Sequence, residues 1–291
     1  MTSLQRRLLQ WYSRHGRATL PWRTVRDPYR TLVSEFMLQQ TQVDRVVPKF
    51  EAFIACFPDV ATLARATTAD VLREWKGLGY NSRALRLQQV ARAVVERHGG
   101  QMPRDAQELR ALPGIGPYTA AAIRAFAFDL DDAPIDTNVR RVVHRIAFGL
   151  EHPPRATAVE IDERARAFVP GATAHDWNSA LMDLGATICT ARAPKCLLCP
   201  LQTECVAAPI DAAALERARA RHAKLPSPQS AIPFEKTTRY ARGRLIDRLR
   251  DLPAGQRVSL LELPVEQRAV VGALERDGLV TCDGDNVALS E

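Results

Sequence analysis

No stretch of this 291-residue chain approaches the roughly 18–20 consecutive apolar residues that a membrane-spanning helix needs. The opening residues, MTSLQRRLLQWYSRHG, carry too much charge for a secretory signal. A cytoplasmic protein with no membrane partner is therefore expected. Low-complexity tracts and long internal repeats are missing too, which speaks against a repeat array. Convincing alternation of apolar and polar residues is absent before about residue 232, so the main body is not a β-fold.

What is present is helix after helix. Apolar residues recur at helical spacing in 32–57, 69–97 and 156–168, with breaks at Phe57-Pro58-Asp59, Gly99-Gly100 and Pro153-Pro154. Leu4, Leu8 and Trp11 share one helical face. A hydrophobic content of 46% is ordinary for a globular protein, and the length allows two cores plus an appendage. The net charge of +7 permits a polyanionic partner without proving one. Residues 209–231 read as a helical extension running into a linker. Beyond it, a helix over Arg239–Asp251, an apolar run Val258–Leu263, a helix over Val265–Arg276 and a hairpin turning at Asp283-Gly284 follow in order. That order fits a winged-helix-like module over 232–291, or a generic α+β appendage.

Four of the six cysteines fall in the run Cys189-x6-Cys196-x2-Cys199-x5-Cys205. Four thiolates this close can close around one soft metal centre, and without a secretory signal they read as ligands rather than disulfides. A four-thiolate set suits zinc or an iron–sulfur cluster. Zinc sites usually pair two short knuckles, and only Cys196/Cys199 has that spacing, so the uneven gaps favour the cluster. Cys56, within Phe53-Ile54-Ala55-Cys56-Phe57, reads as a core thiol, and Cys282 as an ordinary one.

The segment Leu112-Pro113-Gly114-Ile115-Gly116-Pro117-Tyr118-Thr119-Ala120 lies between two helical patterns. The first helix begins at Asp105 with Glu108 three residues on, and the second can start at Pro117. Gly114 and Gly116 let the backbone turn tightly and offer N–H groups at a helix N-terminus, a grip for a DNA phosphate. Glu35 sits in the nonpolar run Leu32-Val33-Ser34-Glu35-Phe36-Met37-Leu38, where a partly desolvated carboxyl holds its proton more readily than in water. The plainer alternative is a solvated residue on a polar helix face. Asp136, in Pro134-Ile135-Asp136-Thr137-Asn138-Val139-Arg140, reads as a helix N-cap, a role compatible with chemistry.

Together, SEFMLQQTQVDRV, LGYNSRALRL, LPGIGPYTAAAI, PIDTNVRRV and MDLGATICTARAPKCLLCPLQTEC resemble the MutY-type adenine DNA glycosylases. These belong to the helix-hairpin-helix superfamily that includes endonuclease III, and the resemblance covers roughly residues 4–206. It implies a mainly α fold: a helical barrel over 27–132, an iron–sulfur module from 1–26 and 133–208, and a base-binding cleft between them. It also implies that Glu35 protonates the purine and that Asp136, supported by Asn138, stabilises the cationic sugar. Tyr118 stands where bifunctional relatives carry a nucleophilic lysine, so strand cleavage is not expected. Trp22 and Arg23 match part of the base pocket, and Gln40 and Tyr80 match residues inserted into the duplex. Arg192 and Lys195 match phosphate contacts on the cluster loop. Cys189, Cys196, Cys199 and Cys205 match the ligands of a structural [4Fe-4S] cluster, and a monovalent cation at the hairpin turn is a further candidate ligand.

The chain departs from that pattern in three places. Ser179 replaces the Gln or Glu that many members carry near the base, and its shorter hydroxyl reaches adenine only through water. Tyr80-Asn81 replaces a Tyr-Tyr pair. The tail is too short for the Nudix-like domain that reads 8-oxoguanine in longer members. The expected substrate is double-stranded DNA with an A:8-oxoguanine or A:G mispair, bound by a monomer. A thymine glycosylase acting on T:G mispairs, or a non-catalytic iron–sulfur DNA-binding protein, are the alternatives.

Overall fold

Helix boundaries follow local chemistry. The computed structural model describes residues 1–221 and 233–291. Thr2 and Gln5 close a capping box that starts α1, Ser3–His15. Asp27 accepts from the Arg30 N–H at 2.7 Å, and Pro28 occupies the first turn of α2, Pro28–Leu38. Next come α3 (Val43–Cys56), α4 (Val60–Arg65), α5 (Thr68–Glu74) and α6 (Ser82–His98). Gly99, in the left-handed region at φ 59°, ends α6. The hairpin pair is α7 (Ala106–Arg110) and α8 (Pro117–Ala122), the latter continuing into one π-helical turn, Ile123–Ala127. Then follow α9 (Thr137–Ala147), α10 (Ala158–Phe168), α11 (Ala174–Thr187) and α12 (Ala212–Arg221). The C-terminal segment adds α13 (Thr238–Arg250), α14 (Val265–Arg268) and α15 (Val271–Arg276). Its three strands, β1 (Val258–Ser259), β2 (Val280–Asp283) and β3 (Asn286–Leu289), form an antiparallel sheet in the order β1-β3-β2.

The chain makes two compact units. The first comprises Met1–Thr31, Arg104–Arg110 and the chain from Ile115 through α12. Its core joins Leu8 and Tyr12 of α1 to Val139, Val142, Val143 and Ile146 of α9, with Trp177, Leu181 and Leu184 of α11. Leu4 and Trp11 lie partly buried against this core, on the face their spacing predicts. A Cβ on Gly185 would meet the Cβ of Asn138 at 2.9 Å, so glycine is what lets α11 close onto α9 there.

The second unit comprises Leu32–Pro103, Ala111–Gly114 and the C-terminal residues 233–291. Phe53 packs edge-on to Trp75 at 6.0 Å and to Phe57 at 4.9 Å. These units do not coincide with the expected modules at 27–132 and 133–208, because the C-terminal segment packs with the second unit and much of the hairpin with the first. Helix, strand, helices and hairpin occur in the order expected of a winged-helix-like module.

Several details differ from the sequence reading. Cys56 is exposed, not core. The buried stripe of α3 runs Val46, Phe50, Phe53 and continues to Phe57, at spacings of four, three and four, which leaves Cys56 at the outer edge of that stripe. The run Val258–Leu263 yields two strand residues and then a 3₁₀ turn. The helix expected over Val265–Arg276 divides into α14 and α15. The hairpin turns at Gly284-Asp285, since Asp283 pairs with Asn286 and Gly284 supplies φ 57°. The first part of the 209–231 extension is α12, and the remainder of that linker lies outside the described residues.

Candidate active site and cluster loop

Glu35 lies on α2, a helix buried nearly all round. Leu32, Val33, Ser34, Phe36 and Met37 are at most 1% exposed and Glu35 itself 8%, which removes the solvated-face alternative. In the other unit, Asp136 is the N-cap of α9. Its Oδ1 accepts from the Val139 N–H at 2.7 Å and its Oδ2 from Asn138 Nδ2 at 3.1 Å. Asn138 is held in turn by Arg141, whose Nη2 donates to Asn138 Oδ1 at 3.0 Å and to the Gly185 carbonyl at 2.7 Å. Arg141 Nε donates to the Cys189 carbonyl at 2.8 Å. One guanidinium thus ties the Asp136 side chain to the first expected cluster ligand. Nothing in the sequence pattern singled out Arg141.

Among the described residues, no group of three or more His, Cys, Asp or Glu forms a ready metal-ion site. The four expected ligands nonetheless lie within electrostatic reach of one another. Burial pushes the Cys189, Cys199 and Cys205 thiols up, Cys199 to about 11. Positive charge opposes this at Cys189, where Arg145 Nη1 stands 3.5 Å from Sγ. Arg145 is fully buried and also binds Glu151 at 2.6 Å. A donor set of four thiols with the buried Arg145 beside one of them suits an anionic thiolate-bound group. Arg192 and Lys195 are exposed on the same loop.

Arg23 is engaged by Asp183, donating to Oδ2 at 2.9 Å, while Arg17 contacts Oδ1 at 2.6 Å and donates its backbone N–H to Oδ2 at 2.8 Å. Burial would raise the Asp183 pKa, but Arg23 and Arg17 together hold it below the usual carboxylate value. Asp183→Asn, which leaves buried Arg23 without a counter-charge, is expected to cost about 3–5 kcal/mol in urea unfolding. Because the folded carboxyl is the more acidic, this contribution is complete above about pH 4 and is lost as pH falls through the depressed folded value. A wild-type acid limb that persists unchanged in Asp183→Asn would contradict the assignment. Trp22 is buried beside this pair in sequence. Ser179 is wholly buried on α11, with no group in good hydrogen-bond geometry and the Tyr12 phenol as its polar neighbour.

Gln40 and Tyr80 are both exposed, and both are non-glycine residues with left-handed backbones, φ 57° and 46°. Arg83 explains how. Its buried guanidinium donates to the carbonyls just before them, Gln39 at 2.6 Å and Gly79 at 3.1 Å, and also to those of Phe36, Met37 and Leu78. Burial lowers the Arg83 pKa to about 10, which still leaves it charged near neutrality. Sequence reading missed this residue, since Arg83 is one of four arginines on α6 and nothing local sets it apart.

In the hairpin, Asp105 caps α7 by accepting from Gln107 and Glu108 N–H groups at 2.7 and 3.1 Å. Gly114 has φ 79°, whereas Gly116 is extended and a Cβ there would meet nothing. The free fold therefore requires glycine only at Gly114. Tyr118 lies half-buried in the first turn of α8.

Residues 33–167 match the model of the HhH-GPD superfamily base excision DNA repair protein. The fold matches a thermostable thymine-DNA glycosylase at TM-score 0.64 and 32% identity, covering 69% of this chain and 93% of that one. It also matches endonuclease III in a trapped DNA covalent intermediate, at TM-score 0.59 and 20% identity, over 77% of this chain and all of that one. The class is thus a DNA glycosylase of base excision repair. More narrowly, the chain is 40% identical to an adenine DNA glycosylase of Mycolicibacterium smegmatis, over 95% of its own length and 93% of that relative's. It is 42% identical to the Mus musculus enzyme of the same name, over 70% of this chain and 42% of that one. The chain belongs to the adenine DNA glycosylases, hydrolases of N-glycosyl bonds. Among the described residues no helix is long and apolar enough to cross a membrane.

Proposed function

We propose that this chain releases adenine from A:8-oxoguanine and A:G mispairs in double-stranded DNA by hydrolysis, without cutting the strand. The observation that carries the reading is the fixed Asp136 carboxylate, oriented by a backbone N–H and by Asn138, in a chain that also buries Glu35 among apolar side chains. Glu35 supplies the proton that turns adenine into a leaving group. Asp136 meets the positive charge that develops on the sugar, and the Val139 N–H and Asn138 hold it there before the reaction begins. Tyr118 has no amine with which to form a Schiff base, so β-elimination is not available through it.

Trp22 contributes an aromatic wall to the adenine pocket, and Arg23, through its tie to Asp183, orients that turn. Ser179 acts from beneath the pocket through Tyr12 rather than on the base. Gln40 and Tyr80, preset by Arg83, fill the space the extruded base leaves. Gly116, free of any steric need for glycine, leaves room for a phosphate at the hairpin. Arg192 and Lys195 contact another, and a monovalent cation at the turn suits its exposed carbonyls. Cys189, Cys196, Cys199 and Cys205 would hold a [4Fe-4S] cluster, which supplies structural cross-linking of the loop rather than Lewis-acid chemistry. The enzyme acts as a cytoplasmic monomer.

A second reading, thymine release from T:G mispairs, draws on the 32% identity to a thymine-DNA glycosylase. Labelled duplexes carrying A:8-oxoguanine, A:G or T:G separate the two. The expected result is scission only after alkali, greatest for A:8-oxoguanine. Scission without alkali would defeat the monofunctional reading, and a preference for T:G would defeat the adenine one.

A further inference from the structure

The C-terminal segment brings an excess of arginine to the loop that carries Tyr80. A groove of about 500 Å³ lies between Gly77–Ser82 and α13, lined by Tyr80, Phe234, Arg239, Arg242, Arg244 and Arg250 among others. Two of these arginines are already neutralised. Arg242 pairs with Asp277, and Arg250 pairs with Asp247 while its other Nη holds the Asn81 side chain. The remaining two, Arg239 and Arg244, are exposed and make no ion pair among the described residues.

Arg239 has a particular pose. Its guanidinium carbon lies 4.0 Å from the centre of the Tyr80 ring and 5.6 Å from that of Phe234. Stacking uses the flat face of a guanidinium and leaves its N–H edges free for a planar or tetrahedral anion. Phe234 is itself 52% exposed, and Tyr80 39%. The Nε of buried Arg250, which also lines the groove, has no hydrogen-bond partner. Free cations beside exposed aromatic faces are the combination that holds a nucleic-acid strand, with charge for phosphate and rings for sugar and base. The volume is nucleotide-sized and much larger than a lone phosphate needs.

We propose that this groove seats one nucleotide of the DNA next to the point where Tyr80 enters, its phosphate on Arg239 and Arg244 and its sugar and base against Phe234. The C-terminal module then extends the DNA-binding surface and braces Tyr80 from behind through Arg239. The proposal rests on the reading of the chain as an enzyme of mispaired duplex DNA.

The test is fluorescence anisotropy with the full chain and a duplex whose mispaired adenosine is 2′-fluorinated and so resists hydrolysis, over a series of salt concentrations. Each phosphate contact contributes about 0.9 to the slope of log Kd against log salt. The double variant R239A/R244A, which frees that one phosphate, is expected to lower the slope by about 0.9 and to weaken binding roughly five-fold near 150 mM salt. R239K/R244K should keep the wild-type slope. An unchanged slope in R239A/R244A overturns the proposal, as does an equal loss in the lysine variant, which would mark a disturbed fold rather than lost charge. Adenine release by the wild type, followed in parallel under single-turnover conditions, keeps the two readings separate. If no base is released but the slope still falls, the groove stands and the proposed reaction fails. If adenine is released and the slope is unmoved, the reverse holds.

Discussion

Replacing Glu35 with Gln is expected to slow single-turnover release of adenine by roughly 10²–10⁴-fold, the range that general-acid catalysis contributes. Affinity for the mispaired duplex should stay nearly unchanged. The substitution is close to isosteric, and its site is a helix buried on every side, so shape and packing persist. What disappears is the ability to give up a proton at the start of the reaction and recover one afterwards. On the proposed reading, binding rests on other groups: the hairpin backbone, the exposed arginines and lysines, and the inserted side chains. Raising the substrate concentration therefore should not rescue the variant, because the loss lies in kcat. Anisotropy on an uncleavable duplex and quenched single-turnover assays give the two numbers independently. A variant that loses binding and turnover together would move Glu35 from chemistry to structure.

How much of this was legible beforehand depended on the range of the interaction. Asp136 could be read as a cap because a cap is local: the carboxylate and the N–H it accepts are three residues apart. Pro117 at the start of α8 and Asp105 before α7 were legible for the same reason. Arg83, Arg141 and Asp183 were not. Arg83 reaches carbonyls 44–47 positions away, Arg141 the Cys189 carbonyl 48 away, and Asp183 meets Arg17 and Arg23 from 160 or more. No periodicity encodes such pairings. Cys56 failed for a subtler reason, since an apolar run does not say which of its members faces inward until the helix phase is set by Phe50 and Phe53. The one-residue slip at the last hairpin is similar: Asp-Gly and Gly-Asp both suit a two-residue turn, and the cross-strand partners of Val287 decide between them.

The second large effect is expected at Asp136, where two substitutions divide the roles of one side chain. In Asp136→Asn the amide oxygen can still accept from the Val139 N–H, so the cap on α9 survives. The negative charge does not. The new Nδ2 group also faces Asn138 Nδ2, donor against donor, where Oδ2 stood before. Asn138 can answer only by turning its oxygen inward, which takes that oxygen from Arg141 Nη2. The variant should therefore release adenine at least roughly 10²-fold more slowly, as when one stabilising partner of a transition-state charge is removed. The cap survives but one hydrogen bond of the Asp136–Asn138–Arg141 chain does not, so its stability should fall by about 1 kcal/mol. Asp136→Ala deletes both charge and cap, and should lose activity to a similar degree while also costing about 1 kcal/mol of stability. Near-normal turnover in Asp136→Asn beside an inactive Asp136→Ala would show that the residue only caps its helix. Equal loss of turnover in both, although the asparagine variant keeps the cap, is the pattern of a charge that acts on the sugar and is merely held in place by the cap.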